Sequence, residues 1–196
     1  MERKLMPSLA IEHHQKDGEI RSAAYRIGHP RQYRFNATLG RVNLNGDENL
    51  TKAGDPFTFR PIGARIFKDN LFERGKQLWA ELFFLNEANQ VCNILVHGYT
   101  VENLERLESD LFYDDLNITE VMLTLKPAEK TSKSTGNKFY IGEWSYRPAD
   151  RELIECQNST VDGLQLFRVD TFKDTAEELV ALNFSPPVAS LASASH

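Results

Sequence analysis

Residues 125–147 read LKPAEKTSKSTGNKFYIGEWSYR, and this stretch decides the fold class. It begins with apolar residues, continues through a segment rich in lysine, serine and threonine that ends at Gly136 and Asn137, and finishes with closely spaced aromatic residues. Turn-forming polar residues between two such runs are typical of a β-hairpin. The sequence therefore predicts paired strands at residues 118–125 and 138–146.

The same hairpin is the candidate binding site, because its cations lie close to ring-bearing side chains. Single-stranded nucleic acid needs cations for its phosphates and flat rings for its bases. The predicted backbone contacts are Lys126, Lys130, Lys133 and Lys138, with a purely solubilising role as the alternative.

Alternation along the last strand places Tyr140, Trp144 and Tyr146 on one face and Phe139 and Ile141 on the other. The first set could form a platform for base stacking. It could equally fill the core or an interface, since Trp and Tyr bury large areas in either setting.

The strands before this hairpin are predicted from alternation. A phase slip at Gly40 predicts one first strand, residues 33–44, bent by a β-bulge. Residues 57–67 contain Pro61 and predict an edge strand or two short pieces. Residues 76–85 and 91–97 predict a second hairpin. Thr100 is the predicted N-cap of one short helix, because Val101, Leu104, Leu107 and Leu111 follow it at helical spacing.

Four arginines in these early strands, and one tryptophan, complete the predicted nucleic-acid site. The arginines fall on strands whose other face is apolar, so they are expected to point outward, either tracking phosphates or simply solvated. Trp79 lies with Phe83 on the second face of a strand that is apolar on both sides, and such a strand needs a second cover. The arginines are Arg34, Arg41, Arg60 and Arg65.

The chain is expected to form one domain with extensions, since 196 residues suit a single core. Residues 1–32 are predicted as an N-terminal arm and residues 33–150 as the β domain. Residues 151–184 are predicted as an extension with a short strand at 164–169 and a helix at 171–182. Residues 185–196 are predicted as a flexible tail.

The net charge of −5 is unevenly distributed along the sequence. Residues 77–125 hold one Lys/Arg against nine Asp/Glu, whereas residues 126–151 hold six against three. Screening confines surface fields to about 10 Å, so a local basic face can bind phosphate on an acidic protein. The chain shows no membrane-length apolar run and no secretory signal pattern, which predicts a soluble, cytoplasmic protein.

Motifs for catalysis are absent from the sequence. It contains no phosphate-binding GxxxxGK[ST], no GxSxG and no HExxH, and its five histidines and two cysteines show no metal-ligand spacing. We therefore expect a protein that is not an enzyme and needs neither a metal nor a cofactor.

The order of a bent first strand, a central hairpin, a helix and a closing basic hairpin resembles the OB-fold, and within it the bacterial-type single-stranded-DNA-binding proteins. Residues 93–98, NILVHG, resemble that family's third strand, and the resemblance covers residues 33–147. It implies a mostly β, five- to six-stranded curled barrel with one short helix. It also implies a homo-oligomer that binds single-stranded DNA with little sequence preference in DNA replication and repair.

Two departures accompany the resemblance, and other functions stay open. Residues 51–75 are additional to a minimal five-stranded barrel, and the sequence given ends in SASH rather than in the family's acidic, aromatic tip. RNA is the alternative nucleic acid. The rival function is a protein-interaction or oligomeric assembly module on the same β scaffold, and a third is a barrel that binds a small ligand.

Overall fold

The fold is known from a computed structural model, which describes residues 9–14, 20–25, 30–69, 71, 75–162 and 178–180. These residues form twelve strands, two α-helices and a short 3₁₀ helix at Ile118–Glu120. The strands are β1 (Leu9–His14), β2 (Ile20–Tyr25), β3 (Arg31–Asn36), β4 (Arg41–Leu44), β5 (Glu48–Asn49), β6 (Phe57–Phe59), β7 (Pro61–Asp69), β8 (Gln77–Leu85), β9 (Val91–His97), β10 (Val121–Thr131), β11 (Lys138–Pro148) and β12 (Glu178–Val180). The helices are α1 (Tyr99–Tyr113) and α2 (Arg151–Val161).

The strands form three sheets. The large sheet has the order β12-β7-β8-β9-β3-β4-β5, the three-stranded sheet has the order β11-β10-β6, and β1 pairs with β2. The protein is therefore mostly β, as predicted. Within the described residues β12 and β5 each pair with a single neighbour, so the large sheet is open and does not close into the expected five- to six-stranded barrel.

The predicted bulged strand at residues 33–44 is wrong, because these residues form two strands. β3 and β4 are antiparallel, with Tyr33 opposite Leu44 and Phe35 opposite Val42. The turn between them is closed by a 2.8 Å bond from the Gly40 N–H to the Asn36 carbonyl. Opposite residues of an antiparallel pair share a face, so the phase slip at Gly40 was the signature of a hairpin turn.

Residues 57–67 fall in two strands, as one of the two predicted alternatives had it, but only β6 is short and β7 is nine residues long. β6 pairs with β10 in the three-stranded sheet, whereas β7 pairs with β8 in the large sheet. The chain therefore crosses from one sheet to the other at Arg60.

The main core lies between the large sheet and the three-stranded sheet, and α1 closes it. It combines Leu82 and Ile94 of the large sheet with Leu123 and Leu125 of β10, all of them fully buried. The predicted helix is confirmed, and its Val101, Leu104, Leu107 and Leu111 are buried. The predicted N-cap is wrong, because the helix is preceded by Gly98 without a side-chain cap.

The second face of the large sheet is also covered by protein, as the apolar pattern of β8 required. Trp79 and Phe83 are buried, and Phe83 packs in a cluster with Val161 of α2. This helix had not been predicted. Its second half is rich in Asn, Ser and Thr, which are weak helix formers, so packing against the sheet stabilises it.

The ends of the chain are described only in part. The predicted N-terminal arm contains the β1–β2 hairpin. Residues 178–180 pair with β7 as a strand, where a helix had been predicted. The strand predicted at 164–169 and the tail predicted at 185–196 lie outside the described residues.

Candidate nucleic-acid interface

The predicted closing hairpin is confirmed as β10 and β11, eleven residues each. Its first strand begins at Val121 and extends through Lys126 and Lys130 to Thr131, beyond the predicted residues 118–125. The register runs from Val121 opposite Pro148 to Thr131 opposite Lys138. The turn is held by backbone bonds, from the Ser132 N–H to the Asn137 carbonyl at 2.8 Å and from the Gly136 N–H to the Ser132 carbonyl at 2.9 Å. The turn at residues 132–137 thus has a defined geometry, and of the four predicted lysines only Lys133 lies in it.

The aromatic side chains at the far end of β11 face α1. The Trp144 Nε1–H donates to the Thr100 carbonyl at 2.9 Å, and the Tyr146 hydroxyl donates to Asp114 Oδ2 at 2.6 Å. Two residues before Trp144, the Gly142 N–H donates to Thr100 Oγ1 at 2.9 Å. Thr100, the residue predicted to cap α1, therefore attaches the helix to β11.

Tyr140 shares this inward face and packs over the β3–β4 turn. Its N–H donates to the Ala37 carbonyl at 2.7 Å, and its ring lies against Gly40. Tyr140, Trp144 and Tyr146 are all half-buried against the main core. The alternation was predicted correctly, but the exposed stacking platform is not observed, because these three rings pack on protein.

The opposite face of the three-stranded sheet points away from the core, since Val121, Leu123, Leu125 and Pro127 alternate inward along β10. We call it the outer face. It combines cations, hydroxyl groups and half-buried apolar groups, and Thr58 Oγ1 lies 2.9 Å from Thr124 Oγ1 across β6 and β10. Its residues are Thr58, Met122, Thr124, Lys126, Ala128, Lys130, Phe139, Ile141, Glu143, Ser145 and Arg147.

All four predicted lysines are exposed on or beside this face. Lys130 Nζ lies 3.4 Å from Glu143 Oε1, and Lys138 Nζ lies 2.8 Å from Glu129 Oε1. The second pair, mainly through its hydrogen bond, lowers the pKa of Glu129 and raises that of Lys138. Exposed ion pairs of this kind contribute little to stability, so both lysines can exchange partners easily.

Two of the predicted arginines are buried, so their expected outward orientation is wrong. Arg60 is 2% exposed and donates to the Thr119 carbonyl at 2.8 Å, to Gln157 Oε1 at 3.0 Å and to Asn158 Oδ1 at 2.7 Å. Burial lowers the pKa of its guanidinium, and Glu120 acts in the opposite direction. These bonds join α2 to the start of β10.

Arg65 is 8% exposed and forms an ion pair with Glu81, at 2.5 Å between Nη2 and Oε2. The other carboxylate oxygen of Glu81 accepts from Asn93 Nδ2. The Arg65 guanidinium also lies 5.6 Å and 5.8 Å from the ring centres of Phe67 and Phe83. Arg65 therefore belongs to a polar group inside the second face of the large sheet.

Arg34, Arg41 and Trp79 also belong to the large sheet, away from the outer face. Trp79 is 2% exposed, which removes it as a stacking residue. Arg34 and Trp79 contribute with His97 to the lining of a cavity of about 390 Å³, and Arg41 is half-buried beside residues 49–56. The structure thus brings the lysines together and separates them from the predicted arginines.

Phe139, Ile141 and Arg147 lie on the outer face but were not among the predicted site residues. Alternation had placed Phe139 and Ile141 opposite Tyr140, and this signal was available in the sequence. The sequence pattern could not show which face of β11 is covered by α1. The contacts between α1 and β11 join residues that are 39 to 44 positions apart.

Other kinds of site receive no support from the described residues. Among them, no group of three or more His, Cys, Asp or Glu side chains is placed to hold a metal ion. In that same part of the chain, no helix has both the length and the hydrophobicity to span a membrane.

Comparison with protein-family models, curated proteins and solved structures gives no match to this chain. The function must therefore be argued from the geometry.

Proposed function

We propose that this protein binds single-stranded nucleic acid, DNA in the first instance, through the outer face of the three-stranded sheet. It does so with little sequence preference and without a chemical step. Phosphates are neutralised by Lys126, Lys130 and Arg147, with Lys133 and Lys138 adding positive charge at the turn, and a base stacks on Phe139.

The observation that carries the proposal is the combination of cations and apolar groups on one exposed sheet face. Residues 126–147 contain five Lys/Arg against two Glu, in a chain whose net charge is −5. Lys130 lies directly opposite Phe139, and Lys126 lies two positions along from Ala128, which is opposite Ile141. Cations beside an accessible ring suit a polyanion with flat, unpaired bases.

The chemistry of this face also indicates why sequence preference should be low. Lysine ammonium groups are flexible point charges that contact phosphates without reading bases. Stacking on one ring accepts any base, because every base has a π-face. A duplex hides its base faces, so the single strand should be preferred.

We also propose that the fold is OB-like. Its support is the element order, with α1 between β9 and the β10–β11 hairpin. Assembly into homo-oligomers was expected from the same resemblance.

The test is a fluorescence-anisotropy titration of labelled oligo-dT and of a matched duplex at two salt concentrations. The affinity for oligo-dT should exceed that for duplex and should fall with salt, with a log–log slope of roughly −3 to −4 if five phosphates are neutralised. Lys126→Glu combined with Lys130→Glu should weaken binding and flatten that slope by about one unit or more.

The matched control is Lys52→Glu combined with Lys68→Glu, which makes the same change in charge at exposed positions outside the three-stranded sheet. It should leave most of the affinity and the slope in place. Equal losses of affinity in both double variants would show that the effect comes from net charge alone and does not locate the binding site. Absence of oligo-dT binding at low salt would refute the proposal.

A protein-interaction function is the second candidate. Its support is the exposure of two adjacent aromatic side chains, Phe112 and Tyr113, at the end of α1.

A further inference from the structure

The C-terminal end of α1 carries the two most exposed large apolar side chains of the described residues. Phe112 is 79% exposed and Tyr113 is 83% exposed, and their ring centres lie 5.8 Å apart in an edge-to-face arrangement. Exposed apolar patches mark interaction sites, so two adjacent exposed rings at the end of a helix indicate such a site. We call Phe112 and Tyr113, with the acids around them, the aromatic end.

The surroundings of these rings are strongly acidic. Asp110, Asp114 and Asp115 flank the pair, and residues 102–120 contain seven Asp/Glu against the single Arg106. One turn earlier, burial and the neighbouring Glu105 raise the pKa of Glu108. Ring faces and carboxylates both attract cations, so the chemistry of this surface fits lysine-bearing segments.

A segment of that chemistry exists in the same chain. The β10–β11 turn presents Lys133 and Lys138, both exposed, at the tip of the hairpin. Lys133 has no ion-pair partner among the described residues, and Lys138 holds only the exposed Glu129. We call this tip the lysine end.

The lysine end cannot reach the aromatic end of its own molecule. Tyr146 is bonded to Asp114, so the far end of β11 is fixed beside the aromatic end. Lys138 lies eight residues away along an extended strand, a separation of about 27 Å at 3.4 Å per residue. The two surfaces can therefore meet only between molecules.

We propose that the aromatic end of one molecule docks the lysine end of a second copy of this chain. Lys133 and Lys138 approach the rings of Phe112 and Tyr113 and the carboxylates beside them. The contact joins two different surfaces, so it is heterologous, and repeating it yields a linear array or a ring. The docking does not require nucleic acid, and it uses two lysines, Lys133 and Lys138, that also add charge in the proposed nucleic-acid site.

The test is analytical ultracentrifugation of the whole chain without nucleic acid, across a wide concentration range at low and high salt. The wild-type mass should rise with concentration and should fall with salt, since exposed charges are screened. Phe112→Ala/Tyr113→Ala removes the aromatic end, and Lys133→Glu/Lys138→Glu reverses the lysine end. Each variant alone should raise the dissociation constant by roughly tenfold or more.

Mixing the two variants separates this geometry from a symmetric dimer. Each variant retains the surface that the other lacks, so a one-to-one mixture should form dimers and nothing longer. Leu39→Ala/Leu50→Ala is the matched control, because it removes two other exposed apolar side chains and should leave association unchanged.

Three outcomes would overturn the inference: a wild-type protein that is monomeric at every concentration, association that survives in both variants, or a mixture that forms no dimer. The aromatic-end variant also keeps the outer face intact. If it loses self-association but still binds a short oligo-dT, the two proposals stand independently. If wild-type protein associates but binds no oligo-dT, only the proposed function fails.

Discussion

The hydroxyl of Tyr146 donates a 2.6 Å hydrogen bond to Asp114, and this bond raises the pKa of Tyr146 to about 12. An unperturbed tyrosine titrates near pH 10. Because the folded-state pKa is the higher one, the bond stabilises the fold fully below about pH 10, and this contribution is lost as pH rises toward 12.

We expect Asp114→Asn to lower the pKa of Tyr146 toward its ordinary value. Tyrosinate absorbance across an alkaline titration measures this, and Tyr146→Phe identifies the transition that belongs to this residue. An unchanged transition in Asp114→Asn would show that the carboxylate is not its cause.

Gly40 is the residue that the β3–β4 turn can least replace. Its φ is +59°, and a Cβ there would stand 2.6 Å from ring atoms of Tyr140. We expect Gly40→Ala to lower the free energy of unfolding by more than the roughly 1–2 kcal/mol of a left-handed alanine, as measured by urea denaturation. Gly54→Ala is the control, because φ there is +82° and no atom lies within 4 Å. Equal losses at both positions would mean that Tyr140 yields to the added methyl group.

Phe139 and Trp144 lie on opposite faces of β11, so truncating one should affect binding and truncating the other should affect stability. Phe139→Ala should weaken oligo-dT binding by about 1–3 kcal/mol, the range for one stacked base, and change stability little. Trp144→Ala should mainly lower stability, because its ring packs on the core and its indole N–H is bonded. Anisotropy and thermal unfolding of both variants decide this. A loss of affinity confined to Trp144→Ala would contradict the assignment of the outer face.

At the scale of elements, Arg65 and Glu81 connect β7 to β8 through a buried ion pair. Arg65→Met leaves the Glu81 charge buried without this cation, so it should cost about 3–5 kcal/mol in urea denaturation. Arg65→Met/Glu81→Gln removes both charges, keeps an acceptor for Asn93 and should cost less than the single change. A double variant that is less stable than Arg65→Met would contradict this account of the pair.

Local patterns in the sequence predicted several elements well. The β8–β9 and β10–β11 hairpins and α1 were placed correctly, because alternation, turn residues and helical spacing act over a few residues. The direction in which a strand faces depends on distant contacts. Tyr140, Trp144 and Tyr146 were assigned to one face correctly, but only the position of Thr100 shows that this face is inside.

Isolated charges misled the sequence-based prediction for a similar reason. The residues around Arg60 and Arg65 in the sequence resemble those around exposed arginines, so the local pattern gives no sign that these two are buried. Their partners, Asn158 and Glu81, lie 98 and 16 residues away. The lysines were expected at the surface because a turn between two strands lies there. Lys126 and Lys130 instead lie on β10, and they are exposed because their face of the strand points away from the core.

At the scale of the whole molecule, both tryptophans lie away from the outer face. Trp79 is 2% exposed and Trp144 packs on the core. We therefore expect oligo-dT to bind without strong quenching of tryptophan emission, which parallel anisotropy and emission titrations can establish. Strong quenching at saturation would place a base beside Trp79 or Trp144 and would contradict the outer face as the binding site.

The path of the chain through Arg60 has a consequence for how the outer face is built. Thr58 meets Thr124 across 66 positions of sequence, and Arg31 is paired with Cys92 across the large sheet. Such non-local pairings form slowly, because the chain loses the entropy of closing a long loop before any stabilising contact forms. During synthesis, β6 has no strand to join until β10 leaves the ribosome. The newborn chain thus acquires its outer face only after β10 and β11 have been synthesised, when the acidic residues of α1 are already present.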